Sequence, residues 1–341
     1  MNNSMIGMDL GDKKNWYCVL RVDGEVEERG SVSNDPESMR VFLRKHKGSE
    51  LAIETGVHTG WIVDLCEQEG VKWIVANSRE VKSIWKSCNK SDSRDAEQLA
   101  RLARADRKLL KPVQIRKRAH RLDLGWIKGR ESLVNARADL VNTLRSIAKN
   151  FGYRLKETST KCFSGQIELP EELKGCLTGV LKSIGSMSEE IKKYDQMILA
   201  QEKNYPEIKK LKAVPGVGPI TSLAYVLILE EPGKFKSSRE VGAYLGLKPK
   251  RDQSGEIDKK LGISKMGNSM LRRLLVNCAQ YILGKFGPDS DLKRFGLKLI
   301  QRGGRAAKKK AVIAVARKLA VLLHALWKSE EPYQALKLQK V

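Results

Sequence analysis

Hydrophobic positions in this chain alternate at first and then fall into a helical period. Residues 5–9 are a short apolar run ending in an acid, residues 15–22 are rich in Trp, Tyr, Cys, Val and Leu, and residues 25–32 alternate more weakly. Gly11-Asp12 and Asp23-Gly24 supply turn chemistry between them, so three strands of an antiparallel meander are predicted. A helix over 36–47 follows, then a strand over 51–53 closed by Glu54 and a helix over 60–68 stopped at Gly70. A strand over 71–76 and a helix over 91–105 complete an α/β region with mixed strand directions.

From residue 116 the period is helical. Residues 116–150 contain no proline, and Leu122, Trp126, Leu133, Leu140, Leu144 and Ile147 recur at steps of three, four or seven. Gly179 interrupts the apolar pattern of 175–185, so a second helix is predicted only over 188–201, where it can pair with the first as an antiparallel coiled coil. Short helices over 208–214 and 220–229 flank Pro215-Gly216-Val217-Gly218-Pro219. A helix over 240–246, a polar glycine-containing loop over 248–262, and helices over 269–286 and 308–327 follow. The expected organisation is α/β plus all-α in three regions: 1–115, a central helical region 116–204, and a helical region 205–341.

Charge changes the picture. The 341 residues hold 64 Lys and Arg against 40 Asp and Glu, a net charge of +24, which calls for a polyanion. Residues 1–110 are balanced, with 18 basic and 18 acidic residues, and the whole excess lies in 111–341, with 46 and 22. The most apolar stretch, 311–327, is broken by Arg317, Lys318 and His324, short of the ~18 uninterrupted apolar residues of a membrane span. Six scattered cysteines without a CxxC pair and the lack of a signal-peptide pattern predict a cytoplasmic protein with reduced thiols.

The balanced region carries four notable carboxylates. Asp9 and Glu54 end predicted strands, and Asp92 and Asp95 stand three apart on one face of a predicted helix. Each acid alone reads as a turn, cap or solvated face. Together at strand ends beside a helix they suit hard divalent cations, Mg²⁺ or Mn²⁺, and phosphoryl chemistry. In the basic region, Gly216 and Gly218 sit between two helices, where backbone amides can approach a phosphate. Lys248, Ser254, Lys265, Arg272 and Arg273 lie in or beside a glycine-flanked, cation-rich segment. A serine there is a candidate nucleophile towards phosphate once activated. Arg302, Arg305, Lys308, Lys309 and Lys310 form a basic run suited to sequence-blind phosphate neutralisation. No GxxxxGK[ST] occurs, which disfavours an ATP-driven mechanism.

In order, these motifs resemble the DEDD transposases of bacterial insertion sequences, the group that includes Piv-type DNA invertases and bridge-RNA-guided recombinases. Met8-Asp9-Leu10-Gly11, Ile53-Glu54-Thr55-Gly56 and Lys90-Ser91-Asp92-Ser93-Arg94-Asp95-Ala96 resemble its three acidic motifs, the last with Ser91 where Thr is usual. Pro215-Gly216-Val217-Gly218, Gly246-Leu247-Lys248-Pro249, Ser254-Gly255 and Ile263-Ser264-Lys265-Met266-Gly267-Asn268 resemble its C-terminal transposase domain, with Ser264 at a usual Thr position.

The resemblance implies a RuvC-like, RNase H-type domain with Asp9, Glu54, Asp92 and Asp95 as metal-binding acids. It also implies a coiled-coil dimer element in the middle helices, while the turn Val214-Pro215-Gly216-Val217-Gly218-Pro219 by itself looks like the hairpin of a helix-hairpin-helix module or a plain turn between helices. Ser254 would be a nucleophile joined covalently to DNA, with Ser264 as the fallback. The implied partners are donor and target DNA, a noncoding bridge RNA and further copies of the chain, from dimer to tetramer, acting at the nucleoid. Two other readings stay open: a metal-dependent structure-specific nuclease that hydrolyses DNA with no covalent intermediate, and a non-catalytic nucleic-acid binder.

Overall fold

The computed structural model describes residues 4–81, 91–254 and 257–336. The chain divides into two compact units, Met1–Arg118 and Ala119–Val341.

The first unit is built on a five-stranded sheet. Strands β1 (Met5–Leu10), β2 (Lys14–Leu20) and β3 (Val26–Ser33) form the predicted antiparallel meander. Helix α1 (Pro36–Lys45) is capped by the Asp35 carboxylate, which accepts from the Glu37 and Ser38 amides. Strand β4 (Glu50–Glu54), helix α2 (Thr59–Glu69), strand β5 (Lys72–Ala76), the single turn α3 (Ser78–Val81) and helix α4 (Asp92–Ala105) follow. The order across the sheet is β3-β2-β1-β4-β5, with β4 parallel to both β1 and β5. This is the mixed α/β sheet the strand pattern predicts, in the region where the resemblance implies an RNase H-type fold.

Alternation along each strand sorts the two faces. Ile6, Met8, Leu51 and Ile53 join Met39, Phe42 and Leu43 of α1 and Ile62 and Cys66 of α2 in one buried cluster. Met5, Ala52 and Ala76 face the other way and meet Ala96, Leu99, Ala100 and Ala103 of α4. That second interface is made of small residues, so helix and sheet approach closely. A Cβ at Gly7 would overlap the Ala96 carbonyl oxygen and the Ala100 amide nitrogen.

The second unit is helical. Helix α5 (Arg118–Asn150) begins at the boundary and is followed by the short α6 (Phe163–Gln166) and by α7 (Glu171–Ala200). Arg130 bonds Asp195 at 2.5 Å and Arg137 bonds Ser188 at 3.1 Å. The two pairs are one heptad apart on each helix and run in opposite directions, so α5 and α7 form an antiparallel pair. Val141, Leu144 and Ala148 share their own core with Leu173, Leu177 and Ile184. Helix α7 differs from the sequence expectation by running unbroken through Gly175, Gly179 and Gly185. The first two have open space where a Cβ would stand, so they fall off the packed stripe and cost only helix propensity.

The remaining elements are helices α8 (Ile208–Lys212), α9 (Pro219–Leu229) and α10 (Ser238–Tyr244), strands β6 (Pro249–Ser254) and β7 (Ile257–Ile263), and helices α11 (Ser269–Leu283), α12 (Asp291–Gln301) and α13 (Ala307–Lys328). Every residue of α9 from Thr221 to Leu229 is buried, as expected of a helix apolar all round. Val315, Leu319 and Leu323 of α13 and Leu271 and Leu275 of α11 belong to the same core. Two expectations are corrected here. The segment 248–262, expected as a loop, is largely an antiparallel hairpin. Helix α12, which the sequence reading passed over, packs beside α13.

Candidate active site

The backbone carries all four predicted acids of the first unit to one end and one face of the sheet. Met8 pairs with Ile53 in the parallel register of β1 and β4, so Asp9 and Glu54 leave adjacent strands at the same level. Asp9 shares the parity of Met5 and Gly7, and Glu54 shares that of Ala52, so both lie on the face that α4 covers.

The direction of α4 completes the arrangement. Arg101 and Arg104, in its last turns, bond the carbonyls of Gly24 and Val22 in the β2–β3 turn. That turn adjoins Leu20, the partner of Met5 at the start of β1. Helix α4 therefore runs antiparallel to β1, and its first turn, with Asp92 and Asp95, overlies the end where Asp9 stands. Ser91 caps the helix through its Oγ, 3.4 Å from the Arg94 amide. Acids in a first turn also favour the helix dipole, so Asp92 and Asp95 serve the fold as well. Lys90 of the third acidic motif lies outside the described residues.

Two further devices hold this end. Glu97 of α4 pairs with Arg29 of β3 and Arg101 of its own helix, at 2.5 and 2.8 Å. Burial works against its charge, but the hydrogen bonds and charges of Arg101 and Arg29 prevail and hold the carboxyl below its ordinary range. The Thr59 hydroxyl donates to the Glu54 carbonyl at 2.8 Å and accepts from the Gly56 amide at 2.7 Å, fixing the backbone after Glu54.

His58 stands in that same loop, its Nε2 3.7 Å from Asp12 and its Nδ1 accepting from Trp61 at 3.3 Å. Sequence reasoning passed over His58, Gly7 and Glu97. The small-residue spacing of Ala96, Ala100 and Ala103 was the available signal for Gly7.

In the second unit, Ser254 is the last residue of β6 and pairs with Ile257 across the hairpin. Its side chain and Gly255 lie outside what the structure describes. Ser264 sits at the opposite end, where its amide donates to the Lys248 carbonyl at 2.9 Å. Its hydroxyl oxygen is buried without a hydrogen-bond partner. Among the basic residues, Lys248, Lys265, Arg273, Arg302, Arg305, Lys308, Lys309 and Lys310 are exposed. Arg273 bonds Glu131 at 2.5 Å.

The two hairpin glycines between α8 and α9 differ. Gly216, at φ +88°, is pressed against Tyr281 of α11, whereas Gly218 has open space at its Cβ position.

Comparison with known proteins decides the family. Residues 6–152 match the DEDD transposase family of IS110, and residues 208–296 match the transposase IS116/IS110/IS902 family. The chain belongs to the IS110-type DEDD transposases. These enzymes cleave and rejoin DNA.

A transposase for insertion sequence element IS1111A from Coxiella burnetii is 29% identical over 274 residues, 78% of this chain and 74% of the relative. A probable family 20 transposase from Pseudomonas aeruginosa is 27% identical over 98% of this chain and 99% of its own length. The pilin gene-inverting protein of Moraxella lacunata is 28% identical over 156 residues, 44% of this chain and 47% of its own.

For this transposase the four acids offer only hard oxygen donors, the chemistry a divalent metal requires. Among the described residues no group of three or more His, Cys, Asp or Glu side chains is gathered closely enough to hold a metal ion. Mg²⁺ commonly takes one or two carboxylates and completes its shell with water and substrate phosphate, so the donor set fits such a metal. No described helix is long and apolar enough to cross a membrane.

Proposed function

We propose that this transposase is a metal-dependent, RNA-guided DNA recombinase that uses Ser254 as a covalent nucleophile. The observation that carries the catalytic part is the convergence of Asp9, Glu54, Asp92 and Asp95 at one end of the first sheet, on the face covered by α4.

Those acids would hold Mg²⁺ or Mn²⁺, which when bound supplies Lewis-acid stabilisation of charge on a phosphate. The chain's own contribution is placement. Parallel pairing sets Asp9 beside Glu54, and the close contact at Gly7 sets the height of α4.

In the covalent step the Ser254 hydroxyl loses its proton to solvent and its oxygen bonds to phosphorus. One backbone P–O bond breaks, and the released deoxyribose oxygen takes up a proton. Attack by another DNA hydroxyl then reverses the step and frees the serine, so the bond energy is conserved and no ATP is consumed. Burial of the Ser264 oxygen supports Ser254 over Ser264.

The basic excess after residue 110 supports backbone binding of donor and target DNA and of a bridge RNA, with base pairing supplying sequence choice. The antiparallel α5–α7 pair supports a role of 116–204 in assembly into dimers and tetramers. The proposed site of action is the bacterial cytoplasm, at the nucleoid.

The test is to express the chain with the noncoding DNA that flanks its gene, sequence the co-purified RNA, and supply matched donor and target plasmids. Recombined product that needs Mg²⁺ or Mn²⁺ and the bound RNA, and disappears in Glu54→Gln, is expected. Product formed without RNA would remove the guide. DNA merely hydrolysed would favour the nuclease reading.

A further inference from the structure

The serine proposed above sits at the far end of a ribbon. From Pro249 to Ser254 β6 spans about 17 Å at roughly 3.4 Å per residue, and two strands alone are marginally stable. The position of the tip is therefore set at the base, where the chain is unusually constrained.

There the turn after α10 and the turn before α11 are pressed backbone to backbone. A Cβ on Gly246, at φ +69°, would overlap Met266, and one on Gly267, at φ +82°, would overlap the Tyr244 carbonyl. The Ser264 amide donates to Lys248 and the Lys265 amide to Gly246, at 2.9 and 3.1 Å. Lys265 is held at φ +56°, a left-handed conformation that a lysine keeps only where its surroundings over-determine it. Asn268 caps α11 by accepting from the Leu271 amide at 2.9 Å. Arg272, one turn into α11, reaches back across both turns, its Nη1 donating to the carbonyls of Leu245 at 3.0 Å and Met266 at 3.1 Å.

We propose that Arg272 is a positioning residue for strand transfer. By tying the Leu245 and Met266 carbonyls together it locks the base of the β6–β7 hairpin and so fixes where Ser254 is presented. This rests on Ser254 as the nucleophile. It assigns Arg272 an inward role in place of the phosphate contact that its charge suggests in the sequence. Burial, and then the charge of Arg273, lower the pKa of its guanidinium, in keeping with a half-buried group that donates to carbonyls. Arg273, the exposed neighbour, pairs with Glu131 on α5 instead.

The experiment uses the full chain as wild type, Arg272→Met, Arg272→Lys and Ser254→Ala. Three readouts are taken: amide hydrogen exchange, affinity for a non-specific DNA duplex across a salt series, and the rate of serine–DNA adduct formation with guide RNA and matched plasmids. In Arg272→Met, exchange at Ser264 and Lys265 should rise about tenfold or more, as expected from losing hydrogen bonds to a charged donor, while α9 stays protected. Duplex affinity and its salt slope should hold, and adduct formation should slow about tenfold or more. Arg272→Lys should recover part of the protection and part of the rate.

Unchanged exchange with a salt slope smaller by about one would overturn the proposal and make Arg272 a phosphate contact. Loosened exchange with an unchanged adduct rate would overturn it too. If Arg272→Met loses α9 protection as well, Arg272→Lys is judged by the same criteria. Absence of an adduct in the wild type would refute Ser254 as the nucleophile, and the exchange result would still decide whether Arg272 locks the hairpin.

Discussion

Gly7 shows how one residue without a side chain governs a site it never touches. It lies two residues before Asp9 and lets α4 lie directly on β1. Gly7→Ala must push the helix away, and with it Asp92 and Asp95. The expected result is a loss of about 1–3 kcal/mol of stability, as for an overpacked core, together with loss of strand cleavage although every acid is intact. Urea unfolding and a plasmid cleavage assay check both parts.

His324 is the second residue with a definite prediction. It is buried between the Ser238 hydroxyl and the Pro232 carbonyl, at 2.9 and 3.0 Å, and burial holds its imidazole below 6.5. The folded chain then binds fewer protons here than the unfolded chain. The contribution to stability is complete above 6.5 and is lost as pH falls through the folded value. Urea unfolding across that range should show a slope of at most about 1.4 kcal/mol per pH unit from this group, and His324→Gln should flatten the profile by that amount. An identical profile in the variant would contradict the assignment.

At the scale of elements, α13 joins binding to a stability cost. Its first turn carries no acid and opens on Lys308, Lys309 and Lys310, cations at the end where the helix dipole disfavours them. Replacing all three by Gln should stabilise the free protein by a few tenths to about 1 kcal/mol. The same change should lower the salt slope of duplex binding by up to about three, near 0.9 per phosphate contact. Thermal melting and a salt titration should therefore move in opposite senses for one variant.

Elements with a strong period were legible from sequence. The meander, α4, α5, α9 and α13 all fall within a few residues of expectation. Those that were misread lacked such a period. Strand β6 has no alternation of apolar and polar residues, and in β7 Lys259 interrupts the apolar parity of Ile257, Leu261 and Ile263, so the segment reads as a loop. Helix α7 looked broken because glycines are poor helix formers, yet its stripe of Leu173, Leu177, Ile184, Ile191 and Ile198 is buried throughout and outweighs them.

At the scale of the molecule, the division of charge follows the division of structure. The sheet unit is near balance, with 22 basic and 18 acidic residues, and bears the four acids, whereas the helical unit, with 42 and 22, bears +20 of the +24. The acids were legible because strand ends and helix starts can be read from local pattern. What places them at one end was not, because the packing at Gly7 and the Arg29–Glu97–Arg101 tie join residues up to 93 positions apart. The inward role of Arg272 was equally hidden, since an arginine in a basic segment reads as a phosphate contact until its acceptors are seen.

The central claim is that acids and serine serve one covalent reaction, and a nucleotide remnant on a serine peptide tests it most directly. The chain, its flanking noncoding RNA and matched donor and target plasmids would be combined with Mg²⁺. The product would then be denatured, digested with nuclease and read by mass spectrometry. A remnant on Ser254 in the wild type, absent from both Ser254→Ala and Glu54→Gln, is the predicted result. A remnant on Ser264, or DNA that is cut and rejoined with no serine adduct under rapid quenching, would contradict it.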